Sequence, residues 1–190
     1  AGIEKVIVHS HSTSTLYHPC VHKIFRPLLR NRKIIRFACS DLAGKWLFGD
    51  NTRYEIIKNG VDTSLFKYSE NIRNRMRSEN GWNGLHVVGH VGSFTYPKNH
   101  SFLIEVFNEV AKKDENAVLV LVGGGELLTE VKKKAECLGL QNKIFYLGNR
   151  NDVNELDNAF DIFVFPSYYE GLPVVLVEAQ STGVPCLVSD

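Results

Sequence analysis

Apolar and polar positions along this chain follow two regimes, and the change falls near residue 85. Beyond it, short apolar runs alternate with amphipathic segments. LHVVGHVG (85–92), AVLVLVGGG (117–125), NKIFYLG (142–148), FDIFVFPS (160–167) and VPCLVSD (184–190) read as strands. Between them, NHSFLIEVFNEVAKK carries apolar residues at 102, 103, 106, 107 and 110, one face of a helix. ELLTEVKKKAECLGL reads as a helix closed by Gly139, DVNELDNA as a short helix, and GLPVVLVEAQSTG as a third helix before the last strand. Strands that are apolar throughout are buried on both faces, which requires helices on either side. The expected fold class is therefore α/β, a Rossmann-like doubly wound parallel sheet.

Before residue 85 the pattern is weaker. EKVIVHSH and RKIIRFACS read as strands, with Ser40 placed to cap the helix DLAGKWLF, and RYEIIKNGVD as a third strand ending in an Asn-Gly turn. Residues 66–84 are polar and closed by glycine, and are expected to be a linker with some helix. The expected organisation is a first domain at 1–65, representing the end of a second Rossmann-like domain, a linker at 66–84, and an incomplete ligand-binding domain at 85–190.

Charge sharpens this division. The net charge is +1, yet residues 1–80 hold 14 Lys and Arg against 7 Asp and Glu, while residues 81–190 hold 8 against 14. KIFRPLLRNRKIIR (23–36) places six bases among apolar residues, which suits an anionic membrane surface or a phosphate-bearing ligand. No nucleic-acid module is recognisable. Four scattered cysteines without a CxxC spacing read as free thiols of a reducing cytoplasm.

In doubly wound sheets, ligands bind beyond the carboxyl ends of the strands. That rule selects VGSFTYPK, GGGE, GNRND and PSYYEGLP. None is a dinucleotide fingerprint: GHVGSF spaces its glycines three apart, and GGGELL has Leu128 at its sixth position. A Walker loop fails at Gly44-Lys45, where Cys39 and Trp46 stand in for Gly and Ser or Thr. Asn99-His100-Ser101 is a chance sequon. His9, His11, His18 and His22 read as loop residues rather than a metal set, since Pro19 breaks any helix aligning His18 with His22.

Glu170 and Glu178 bracket the stretch GLPVVLV. Eight helical residues rise roughly 12 Å, more than the ~5–9.5 Å used by paired hydrolytic carboxylates. Two acids at that span suit hydroxyls at opposite ends of a sugar nucleotide. Between them lies the helix start Gly171-Leu172-Pro173-Val174, whose amide dipoles would favour its pyrophosphate. Pro173 suits a first helical turn, Gly171 allows close approach of a ligand, and Lys98 opens the helix after the strand LHVVGHVG and adds a cation.

The stretch E-GLPVVLV-E, with GHVGSFTYPKNH, LVGGGEL, NGVDTSLF and FACSDLAGKWLF, resembles the family-4 (group 1) retaining glycosyltransferases of the GT-B fold, bacterial capsular and exopolysaccharide enzymes in particular. The resemblance implies a nucleotide-sugar donor, with a UDP-sugar favoured, and transfer with retention to a lipid-linked or oligosaccharide acceptor. It implies Glu170 on donor-sugar hydroxyls, Glu178 on the ribose, and Gly171 to Val174 facing sugar and diphosphate. It implies Lys98 on the diphosphate beside the Gly92-Ser93 loop, and Arg150 and Asn151 at the base, chiefly through backbone. Glu170 and Lys98 are the catalytic assignments, His11 belongs near the acceptor, and no metal or other cofactor is expected. Cytoplasmic location, peripheral at the membrane through residues 23–36, is expected too. Ser93 departs from the usual arginine, and Gly124 from a common acid. GT-B enzymes have two full domains, so the chain reads as truncated at both ends. A non-catalytic nucleotide-sugar binding fragment and a sugar-nucleotide epimerase are the alternatives.

Overall fold

The computed structural model describes residues 3–14 and 19–189. His18 of the histidine group therefore lies outside the described residues, as does the side chain of Cys20; Cys39, Cys137 and Cys186 are free thiols. The chain divides into two compact units. Unit 1 comprises residues 1–60 together with Tyr169–Pro173, and unit 2 comprises 61–168 and 174–190.

Unit 1 is a three-stranded parallel sheet ordered β1 (Val6–Ser10), β2 (Ile34–Ala38), β3 (Glu55–Ile56). Helix α1 (Pro19–Phe25) begins at proline, whose fixed φ and missing N–H suit a first turn, and runs into a 3-10 turn at Arg26–Arg30. Helix α2 (Asp41–Phe48) starts as expected: the Ser40 hydroxyl accepts from the Ala43 amide at 3.2 Å. The buried Ser10 hydroxyl donates to Ala43 O at 2.7 Å and ties β1 to that helix. Only Glu55–Ile56 of the expected third strand pairs with β2.

Unit 2 is a five-stranded parallel sheet, order β6-β5-β4-β7-β8. The strands are β4 (His86–Val91), β5 (Ala117–Val122), β6 (Ile144–Gly148), β7 (Ile162–Phe165) and β8 (Cys186–Val188). Each of the five apolar runs forms one of them, and β5 is buried along its whole length. Helices α4 (His100–Lys113) and α5 (Leu128–Cys137) pack through Leu103, Ile104, Phe107, Val131 and Ala135 against one set of strand side chains. Helices α6 (Val153–Ala159) and α7 (Val174–Ser181), with α3 (Glu70–Glu79), form the other layer, around Trp82, Leu156, Phe160 and Ala179.

Residues 66–84 hold more structure than a linker. Ser69 caps α3, its amide bonds Asn158 at 2.7 Å, and Arg73 and Arg77 grip the end of α6 and the Asp161 carboxylate. Unit 2 thus starts at Val61, and α3 is part of its core. Polarity hid this, because the buried residues of α3 are Arg77 and Met76, with Arg73 half-buried, rather than an apolar stripe.

Gly89 lies in the middle of β4 because the Phe160 ring occupies the space a Cβ would need. Gly89→Ala is therefore expected to cost about 1–3 kcal/mol through overpacking. Chemical denaturation checks this, and an unchanged midpoint would contradict it.

Candidate functional site

Chain order turns around β4: β5 and β6 lie on one side of it, β7 and β8 on the other. The switch point thus falls between β4 and β7, the place where ligands of doubly wound sheets bind beyond the strand ends. The loop after β4 carries Gly92, Ser93 and Lys98. Its position is set by glycine contacts: a Cβ on Gly123 would collide with Gly92 O, and Gly123 has φ 134°, which a side chain would strain. The Gly123 amide donates to Gly148 O at 2.8 Å and that of Phe94 to Gly124 O at 2.9 Å, so the loops after β4, β5 and β6 are joined.

Lys98 lies on a 3-10 turn, Tyr96–Lys98, and not on the following helix. Asn99 adopts the left-handed conformation (φ 53°) between that turn and α4. The break points Lys98 back toward β7, where its Nζ sits 4.9 Å above the ring of buried Phe165. The Tyr168 amide donates to Pro97 O at 2.8 Å and joins the loops of β4 and β7. Ser93 is exposed, and its hydroxyl lies 3.3 Å from that of Thr95.

Beneath this loop is His90, fully buried within β4. Its Nδ1–H donates to Val164 O at 2.8 Å, which leaves Nε2 as the bare nitrogen. A Cβ on Gly92 would lie 3.0 Å from that Nε2 and 3.5 Å from Lys98 Cδ. Burial lowers the His90 pKa to about 4, against the Val164 bond and with help from the Lys98 charge. A neutral imidazole thus underlies the cation without competing with it.

Val174 and Glu178 lie on α7, at the first and fifth helical positions. Glu178 is half-buried, and burial raises its pKa. Its electrostatic neighbour is Asp157 on α6, completely buried, with neither carboxylate oxygen hydrogen-bonded. Burial, and then the Glu178 charge, push Asp157 up to about 8, so it carries its proton at neutral pH. Arg150 and Asn151 follow β6, and the Arg150 guanidinium is held in a fork by Asp152 at 2.8 and 2.6 Å. That fork leaves the backbone of this turn as its outward chemistry.

The other expected residues group with unit 1. The Thr13 hydroxyl donates to Glu170 O at 3.0 Å, and the Asn59 amide to Leu172 O at 2.7 Å. A Cβ on Gly171 would strike His11 O and approach Cys39 Sγ to 3.0 Å. Gly171 is thus required by the chain's own backbone, a reason distinct from approach of a ligand. Pro173 stands one residue ahead of α7. The ring of His9, within β1, lies 4.1 Å from that of His11 just beyond the strand, so His9 is a strand residue and not a loop residue. Sequence reasoning missed His90, His100 and Asp157. The available signal was a polar residue inside, or directly against, a run that is otherwise buried.

A doubly wound parallel unit of this order is the architecture of a Rossmann-like half of the GT-B fold. Residues 72–190 match the glycosyl transferases group 1 family, and the chain belongs to that family. EpsF of Bacillus subtilis (strain 168), named as a glycosyltransferase, is 34% identical over 200 residues, covering 100% of this chain and 52% of EpsF. The UDP-Gal:alpha-D-GlcNAc-diphosphoundecaprenol alpha-1,3-galactosyltransferase of Escherichia coli is 33% identical over 150 residues, covering 77% of this chain and 39% of that enzyme. The chain thus spans about half the length of EpsF, and less of the galactosyltransferase. Among solved structures, Anabaena Alr3699/HepE in complex with UDP-glucose superposes with a TM-score of 0.87 at 25% identity, over 97% of this chain and 53% of that one.

Proposed function

We propose that this chain carries the nucleotide-sugar donor site of a glycosyltransferase of polysaccharide biosynthesis, with a UDP-sugar as donor and retention of configuration. The observation that carries this reading is the switch point of unit 2 between β4 and β7, with Lys98 on the turn after β4, Gly123 packed against Gly92, and α7 following β7. Supporting it, HepE was crystallised with UDP-glucose, and the Escherichia coli relative is named for UDP-Gal and a diphosphoundecaprenol-linked acceptor.

In this reading Lys98 and the first amides of α7 hold the diphosphate and stabilise the charge that grows on it as the glycosidic bond breaks. That role needs no metal. Glu178 accepts from the ribose hydroxyls, Glu170 from the donor sugar, and the backbone at Arg150 and Asn151 faces the base. His11 belongs to the acceptor side. The acceptor is a lipid-linked or oligosaccharide chain, and the enzyme works in the cytoplasm against the membrane. No described helix is long and apolar enough to cross a membrane. The basic segment exposes Ile24, Phe25 and Leu28, which gives a peripheral contact both charge and apolar surface.

Calorimetric titration with UDP and GDP tests the assignment. Glu178→Ala and Lys98→Ala are each expected to weaken UDP binding by roughly tenfold to a hundredfold, the loss of a charged hydrogen bond of about 1.5–3 kcal/mol. Equal affinity in parent and variants removes those residues from their roles.

A further inference from the structure

In unit 1, the carboxyl ends of all three parallel strands meet one short loop. Tyr169–Pro173 belongs to that unit, although it follows β7 in sequence. Beyond β1, the Thr13 hydroxyl donates to Glu170 O at 3.0 Å, and His11 O fills the place of a Gly171 Cβ. Beyond β2, Cys39 Sγ lies 3.0 Å from that same Cβ position. Beyond β3, Asn59 of the NGVD turn donates its side-chain amide to Leu172 O at 2.7 Å. In doubly wound sheets the strand ends receive the ligand. Here they hold a piece of the chain itself.

These contacts fix peptide planes. The described peptide bonds are all trans, so each C=O and the N–H that follows it point in opposite directions. With Glu170 O turned toward Thr13, the Gly171 N–H is turned away from it. With Leu172 O turned toward Asn59, the next plane is fixed as well, and its nitrogen belongs to Pro173, which has no hydrogen. The Gly171 and Leu172 amides donate to no group among the described residues, and both residues are half-buried. One side of the loop is thus bound to unit 1, and the Gly171 donor faces the other.

We propose that Thr13 and Asn59 are positioning residues for the donor, acting through the loop they hold. The inference rests on the assignment of Gly171 to Val174 to the donor sugar and diphosphate. Thr13 sets the plane before Gly171 and Asn59 the plane after Leu172, so the loop is ordered before the ligand arrives. No ordering cost then opposes binding. The effect falls on one end of the donor. Diphosphate and sugar meet this loop, whereas ribose and base are assigned to Glu178 and to the turn after β6.

Calorimetry with UDP-glucose and ligand-detected NMR with UMP test this on the parent, Thr13→Val, Thr13→Ser and Asn59→Leu. Valine and leucine keep the approximate side-chain shapes, remove the donors and add no charge. Each is expected to weaken UDP-glucose roughly tenfold, the scale of one hydrogen bond to a charged group. UMP, which keeps base and ribose but lacks the second phosphate and the sugar, is expected to bind as it does to the parent. Thr13→Ser retains the hydroxyl and should restore UDP-glucose affinity. Thr13→Val decides the matter where Asn59→Leu does not fold. UDP-glucose binding unchanged in folded variants overturns the proposal, and so does an equal loss for UMP, the mark of a merely structural role. A parent that does not bind UDP-glucose overturns the donor assignment and this inference with it. UDP binding lost in Glu178→Ala, with Thr13→Val and Asn59→Leu both unaffected, sinks the positioning role alone.

Discussion

Between about pH 5 and pH 8, Asp157→Asn is expected to gain on the order of 4 kcal/mol of stability relative to the parent, at about 1.4 kcal/mol per unit. The native Asp157 carboxyl titrates at about 8 and the unfolded one near 3.8. Across that window the native state holds a proton that the unfolded state has released. Stability therefore falls as pH rises through the window, and the loss is complete once the native carboxyl ionises. Asparagine has no such proton, so its own stability lacks this slope. The buried amide adds an offset that does not vary with pH, which makes the slope of the difference the quantity to read. Urea unfolding of both proteins at four pH values measures it, and parallel curves would show that Asp157 ionises normally. Because Glu178 contributes to the displacement, Glu178→Gln should make the parent's loss of stability end at a lower pH.

Asp161→Ala is expected to destabilise the chain by about 3 kcal/mol near neutral pH, the lower end of the range for breaking a buried ion pair. Asp161 receives the Val87 amide at 2.7 Å, Arg77 at 3.1 Å and a short bond from Arg73. The Arg77 side chain is 10% exposed, so removing the carboxylate strands a desolvated guanidinium. Asp161 itself is one-third open to water, which places the estimate low in the range. Burial alone would raise its pKa, but the Val87 amide and the two arginines outweigh it, and the net displacement is downward. The sign is opposite to that of Asp157: the stabilisation is present above the ordinary aspartate pKa and disappears as pH falls through the depressed one. The penalty of Asp161→Ala should therefore shrink in acid. A penalty that held constant down to acid pH would assign it to packing instead of charge.

These two aspartates lie four residues apart and differ only in what tertiary structure brings to them. Asp161 meets two guanidiniums from α3, whereas Asp157 meets a carboxylate from α7 and the Cys186 thiol, whose pKa is raised by burial and then by Asp157. Nothing in DVNELDNAFD distinguishes them. The same limit explains α3, whose arginines 73 and 77 look like solvated charges until their partners are known. It also explains Lys98, where the pattern continues the helix back through a residue that the left-handed Asn99 separates from it.

By itself the sequence determined the strands of unit 2, their parallel α/β arrangement, the Ser40 cap and the loops at the carboxyl ends. Each of these depends on local periodicity, on one capping hydroxyl, or on the rule that strands apolar on both faces must be covered on both. Glu178 and Lys98 are proposed as site residues on a similar basis, a resemblance written in contiguous residues. Only the tertiary structure decided that Gly171 is required by His11, that His90 lies beneath the lysine turn, and that His100 and Ser167 are buried without partners. Those facts depend on which atoms, distant in sequence, displace water from a given group. Hydrogen-bond satisfaction and pKa are set by that displacement, which no local pattern encodes.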